Sequence, residues 1–128
     1  MNYIKLFISG TCTTLIYILG GFDIALQSLL LVILFDYITG LLSAIYNKEV
    51  SSKIGFKGII KKIALLCGVA LSVVIDNITG SSGVIRTGVI YFFVANEGIS
   101  ILENLAEMNI KMPKKITDIL SQLKKENK

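Results

Sequence analysis

The sequence predicts an all-α integral membrane protein: a small bundle of three to four transmembrane helices with an amphipathic, basic C-terminal helix. Three observations predict it. Of 128 residues, 53% are hydrophobic and 17% are charged, whereas soluble domains carry about 25% charged residues. Several apolar stretches approach the length of about 20 helical residues that crosses a bilayer. Finally, basic residues gather in two blocks beside these stretches, which is typical of the cytoplasmic segments of membrane proteins.

The first apolar segment, 6–22, is the weakest of four predicted spans. It is short and contains Ser9, Gly10 and three threonines. It also resembles the apolar region of a signal peptide, but the residues around Gly20-Gly21 form a poor cleavage site, so we expect the segment to remain in the protein. These glycines and Asp23 predict a tight turn before the next span.

The second predicted span, 24–46, has thirteen leucine, isoleucine, valine or phenylalanine residues around one aspartate, Asp36. At roughly −0.3 to −0.6 kcal/mol each, the apolar residues outweigh one aspartate at roughly +2.5 to +3.5 kcal/mol, so this segment should insert. The third and fourth spans, 63–79 and 87–106, are separated by the Gly-Ser-Ser-Gly loop 80–83. The fourth is polar enough that we expect it to insert only beside partner helices.

The positive charges predict the orientation of the bundle. Loop 47–62 and tail 109–128 contain eleven of the thirteen basic residues, so both are predicted to be cytoplasmic. With four spans both termini lie inside, and Arg86 alone among the basic residues lies outside. In the alternative, three spans leave the N-terminus outside and segment 6–22 in the interface. The lysines predicted to set the topology are Lys48, Lys53, Lys57, Lys61, Lys62, Lys114 and Lys115.

Two flanking pieces are amphipathic. Residues 51–63 alternate isoleucine, phenylalanine and lysine, which indicates a helix lying in the interface. In the tail, apolar residues recur at helical spacing after Pro113, which fits a helix start. The tail could lie on anionic lipid, pair with copies of itself, or remain a solvated segment that only sets topology.

Small and polar residues lie on one face of each confident span. Such faces can pack helices within one monomer, or they can drive self-association and meet water in a large assembly. Asp36 and Glu97 lie midway along their spans, where an acid is a functional candidate by default. The candidates for oligomerisation or for a pore wall are Asp36, Thr39, Gly40, Ser43, Gly68, Ser72, Asp76, Asn96, Glu97, Ser100 and Glu103.

Asp76 is expected near the outer end of its helix, and Arg86 near the start of the next. The short loop between them predicts an Asp76–Arg86 ion pair that closes the outer hairpin.

Enzyme and nucleic-acid functions are disfavoured. The chain has no histidine, and its two cysteines lie far apart in apolar stretches. No glycine-rich phosphate loop is present, so we expect no catalysis, cofactor or metal site. The basic blocks lack interleaved stacking aromatics apart from Phe56, which argues against binding to nucleic acid.

Four stretches, in this order and spacing, carry a resemblance to a known family: FDYITGLLSAI, KGIIKKIALL, VVIDNITG and IRTGVIYFFVANEGISILENLAEMNIKMPKKI. Through them the chain, over roughly residues 18–124, resembles the phage lysis and toxin-secretion holins of Gram-positive bacteria. DYITG and NEGISILEN are the most specific pieces. The resemblance implies a multi-pass protein of the cytoplasmic membrane that oligomerises into lesions. Lesions of this family release a murein hydrolase or assist the export of a large toxin. The cargo passes through without stable binding, and the family has no enzymatic activity.

Two other functions remain open from the residues. One is a small ion or solute transporter, or a channel subunit, that uses Asp36 and Glu97 as a proton or cation site. The other is a non-conducting membrane scaffold that recruits a partner through the basic tail.

Overall fold

A computed structural model describes residues 2–126, so the last two residues of the predicted tail 109–128 lie outside the described part. The helices are α1 (Tyr3–Ile18), α2 (Ile24–Tyr46), α3 (Ser52–Thr79), α4 (Val84–Glu107) and α5 (Lys114–Glu126). Helices α2, α3 and α4 are long and apolar enough to cross a membrane. The predicted fold class, a helical membrane bundle with an amphipathic basic C-terminal helix, is confirmed.

Helix α3 corrects the prediction for residues 47–62. Only residues 47–51 connect α2 to α3, and the lysine-rich piece forms the first turns of one 28-residue helix. Ser51 Oγ accepts from the Ile54 amide at 3.2 Å and so caps the helix. No proline interrupts residues 52–79. At 1.5 Å per residue the helix is about 42 Å long, close to the roughly 40–45 Å of a bilayer with its headgroups.

Helix α1 is shorter than the segment 6–22 predicted to span. It has 16 residues and a length of about 24 Å, against about 30 Å for the hydrocarbon core. It stops at Ile18 because Gly20 and Gly21 take φ values of 93° and 108°, which end a right-handed helix. None of its residues is buried.

Short connections make α2 and α4 run in one direction and α3 in the other. The bundle therefore has two ends. The end where α2 finishes, α3 begins and α4 finishes is called the basic end here, and the opposite end is called the Arg86 end. Helix α4 is central, since it packs against α2, α3 and α5.

The apolar core lies in the half of the bundle nearer the Arg86 end. Leu29, Val69 and Ile90 are fully buried and contact one another. Around them the surface is unusually apolar, with large side chains such as Phe35, Leu71 and Ile78 exposed. A soluble monomer rarely exposes so many contiguous apolar groups, so this surface suits hydrocarbon.

Candidate functional site: a charge cluster inside the bundle

Three charged residues lie at one depth in the three long helices. Asp36 in α2, Lys62 in α3 and Glu97 in α4 are each ten residues from the basic end of their helix. At 1.5 Å per residue this places all three about 15 Å from that end. The alternating directions of the helices thus bring them to a common level.

The Lys62 ammonium group binds both acids. It donates to Asp36 Oδ2 and to Glu97 Oε1, the second at 2.7 Å. The acid side chains are only 7% and 8% exposed, and that of Lys62 is 19% exposed. One cation therefore ties α2, α3 and α4 together, and the cluster carries a formal charge of −1. The Lys62 ammonium group thus lies between the two acids.

Polar residues of α2 and α4 extend the cluster toward the basic end. The Asn104 amide donates to Asp36 Oδ1 at 3.1 Å and to Thr39 Oγ1 at 2.9 Å. One turn further, the Ser43 hydroxyl donates to Glu107 Oε2 at 2.6 Å. In the single chain these polar faces are thus packed against each other. Within residues 2–126, no buried side-chain nitrogen or oxygen lacks a hydrogen-bond partner.

A cavity of about 290 Å³ leads to the cluster from the basic end. It is lined by Ile54 and Gly58, in the first two turns of α3, and by Asp36, Lys62 and Ser100 nearer the level of the cluster. Gly40 also lines it. The cavity thus extends from the level of the charge cluster toward the basic end.

The other predicted site residues lie apart from the cluster. On α3, a Cβ at Gly68 would lie 3.2 Å from the Phe93 ring, so this glycine permits close packing on α4. Ser72 is buried, and its hydroxyl donates to the Val69 carbonyl of its own helix. On α4, Asn96 is half-buried and Glu103 is exposed.

The predicted ion pair between Asp76 and Arg86 is corrected by the structure. The Arg86 guanidinium instead binds Asp23 through two bonds, of 2.7 and 3.1 Å. It also donates to the carbonyls of Leu19 and Gly21, at 2.7 and 2.9 Å. The planar, five-donor group suits a carboxylate flanked by carbonyls. Arg86 therefore holds the α1–α2 turn against α4, while the bonds to Asp76 come from main-chain and serine groups.

Asp76 caps helix α4. Its carboxylate accepts from the amides of Ile85 and Arg86 at 3.0 and 2.8 Å and from the Ser81 hydroxyl. The N-cap residue Gly83 has no side chain to do this. An acid at a helix N-terminus also meets the positive end of the helix dipole. Asp76 thus joins α3 to α4 by a cap.

Asp23 has two roles at the Arg86 end. Its Oδ1 accepts from the Leu26 amide at 3.0 Å and so caps α2. The hydrogen bonds from Arg86 are the largest cause that lowers the pKa of this carboxyl below its ordinary value. Because the side chain is 53% exposed, water screens this interaction.

Sequence reasoning missed the partners of the buried charges. Lys62 was predicted only to set topology, because residues 47–62 were interpreted as a cytoplasmic loop, with a separate interfacial helix over 51–63. The missing signal was a continuous helix from Ser52, which places Lys62 at the level of Asp36 and Glu97. In the part of the chain that the structure describes, no three histidine, cysteine or acidic side chains gather into a possible metal site.

Comparisons with known proteins converge on one family. The model of a family described as the bacteriophage holin family matches residues 13–125. A probable holin of Bacillus phage phi105 is 35% identical over 102 residues, which cover 80% of this chain and 76% of that protein. An uncharacterised protein of Listeria innocua is 44% identical, covering 91% of this chain and 84% of its own. An uncharacterised 14.9 kDa protein of Clostridium perfringens is 40% identical, covering 96% and 94%. No solved structure matches.

Proposed function

Because the chain belongs to the bacteriophage holin family, we propose that it oligomerises in the bacterial cytoplasmic membrane and forms lesions there. The lesions release a murein hydrolase, export a large toxin, or do both. Family membership and three apolar helices make the chain a multi-pass membrane protein, and the family favours a non-enzymatic role. The cargo passes through the lesion and is not bound stably.

The observation that carries the proposal is the charge cluster of Asp36, Lys62 and Glu97. Burying ions is costly, and a bundle needs none of them for its stability, since well-packed apolar residues of similar volume often stabilise at least as well. These ions lie about 15 Å from the basic end of their helices. In a protein that later lines a water-filled hole, these charged side chains would be solvated, which explains their presence in the bundle.

The proposed mechanism has two states. In the closed state the polar faces of α2 and α4 are joined by Asn104 and by the shared Lys62, and an apolar surface faces lipid. In the assembled state neighbouring copies replace lipid on the apolar surface. Within each copy, α2 and α4 then separate at their polar faces, and water solvates the polar side chains. The remaining candidates, Gly68, Ser72, Asn96 and Glu103, serve helix packing or contacts between copies.

The proposal is tested by inducing expression in a bacterial host that also holds a cytosolic endolysin. We expect growth to continue and then stop abruptly, with lysis at a reproducible time. Asp36→Leu should still insert, since it removes a costly group, but should shift the lysis time or abolish lesions. Glu49→Leu, at an exposed acid of the α2–α3 connection, is the matched control. Intact membranes at high expression would refute the pore function.

One observation favours a second candidate function. The cavity of about 290 Å³ gives Asp36 and Lys62 access from the basic end, as a transporter or channel subunit for protons or small ions would require. Vesicles separate the two functions. A lesion releases entrapped protein as well as ions, whereas a transporter dissipates an ion gradient and retains the protein.

A further inference from the structure

Helix α5 folds back along α4. A Cβ at Gly98 would lie 2.9 Å from Leu120 Cδ2, so the Leu120 side chain packs directly on the main chain of α4 at this glycine. Further along, Lys124 Nζ lies 6.0 Å from the centre of the Phe92 ring. Phe92 is fifteen residues from the basic end of α4, which is about 22 Å. The helix therefore reaches past the level of the charge cluster.

This position conflicts with a lipid surrounding. The exposed surface of α5 carries Lys115, Asp118, Ser121 and Lys125 beside two exposed isoleucines. Docked along a spanning α4, this face would place charges beside hydrocarbon, at roughly 2.5–3.5 kcal/mol for each lysine or aspartate near the bilayer centre. The same helix lying in the interface would keep its lysines in water and its apolar face in the headgroup region.

We propose that α5 docks on α4 only where that side of α4 faces water, so that α5 lines the lumen of the lesion. This inference rests on the proposed function and adds which surface is lumenal. In the resting membrane α5 lies in the interface. When copies assemble, and before the polar faces of α2 and α4 separate, α5 moves onto α4 at Gly98 and turns its lysine-rich face to the water, which is the arrangement that the structure shows. The apolar surface of the bundle, on which Phe35 and Leu71 are exposed, faces lipid or a neighbouring copy.

The test locks α5 onto α4 by a disulfide. Leu120 Cγ lies 3.5 Å from a Cβ built at Gly98, so the sulfurs of Gly98→Cys and Leu120→Cys can reach each other. The exposed native cysteines, Cys12 and Cys67, are first replaced by serine. The variant is reconstituted into vesicles that hold a fluorescent protein, and release is followed after oxidation and after reduction.

We expect the oxidised protein to release its cargo with a half-time that is shorter than that of the reduced protein or within twofold of it. Release that slows at least tenfold on oxidation and returns on reduction would overturn the inference, since α5 would then have to leave α4. Gly98→Cys with Ser121→Cys is the control, because position 121 faces away from α4 and cannot form the lock.

The single variant Gly98→Cys guards against damage from a side chain at Gly98. It cannot form the bond to α5 and should release cargo as the cysteine-free parent does. The cysteine-free parent separates the two proposals. If the parent releases no cargo at all, the pore function itself fails. If the parent and the Gly98→Cys variant release cargo and the oxidised locked pair does not, only the placement of α5 fails.

Discussion

Replacing Lys62 by methionine removes the ammonium group that Asp36 and Glu97 share and leaves a side chain of similar length. Two buried carboxylates then face each other without a cation. Breaking a buried pair in this way costs about 3–5 kcal/mol. The loss has an upper limit, because one carboxyl can take up a proton instead. Protonating an ordinary glutamic acid at pH 7 costs about 3.7 kcal/mol, so we expect a loss of about 3–4 kcal/mol.

The measurement is the free energy of unfolding in mixed detergent micelles. Lys61→Met is the matched control: it removes the same charge one residue away, at an exposed side chain, and should change stability by less than about 0.5 kcal/mol. The effect of Lys62→Met should also shrink on acidification. At pH 5 the same protonation costs only about 1 kcal/mol.

Two results would refute this reasoning. One is an equal loss in the Lys61 and Lys62 variants, which would mean that Lys62 acts only as a surface charge. The other is a loss that stays the same from pH 7 to pH 5. A triple variant, Asp36→Asn with Lys62→Met and Glu97→Gln, removes every charge of the cluster and should recover most of the stability.

Three further predictions concern the Arg86 end. Arg86→Ala removes four hydrogen bonds and should lower the free energy of unfolding by at least about 2 kcal/mol. In the Arg86→Ala background, Asp23→Asn should lower it little further, because the bond is already lost. Asp76→Asn should lower it there by as much as it does in the wild type. Asp76→Ala should cost about 1–2 kcal/mol through the lost cap, measured in the same way, and no loss would disprove the cap. Because the pKa of Asp23 is lowered from 3.8, its stabilisation is present above that pH and is lost as the pH falls below it. Thermal unfolding of wild type and Asp23→Asn should therefore converge in acid, and parallel curves would contradict the Arg86 bond.

The apolar segments and the polar helix faces could be predicted from the sequence, because they depend only on the hydropathy and spacing of neighbouring residues. Hydropathy over 24–46 predicted α2 with the same bounds as in the structure. The glycine-rich stretch 80–83 marked the turn before α4, and the tail's helical periodicity after Pro113 marked α5. A helix was predicted over 51–63, but as a separate interfacial helix, so its continuity with the span 63–79 was missed. A helix tolerates lysines well, and nothing in that stretch stops it.

The pairing of charges was less predictable. Asp36 and Glu97 were recognised as buried acids, but their shared partner Lys62 was not, and Arg86 was assigned to Asp76 instead of Asp23. Sequence proximity favoured Asp76, ten residues from Arg86. The structure places the Asp76 carboxylate at the main chain of α4 and the guanidinium at the turn before α2.

The sequence by itself determined the class of the protein, a helical membrane bundle, because insertion depends on the summed hydropathy of each segment. It also determined which residues form polar faces, since helical periodicity depends on spacing alone. Only the tertiary structure decided which charges meet and where α5 lies. These choices depend on the depth and rotation of each helix relative to the others. The depth of Lys62 followed from the full length of α3, and α5 packs on α4 where Leu120 meets Gly98.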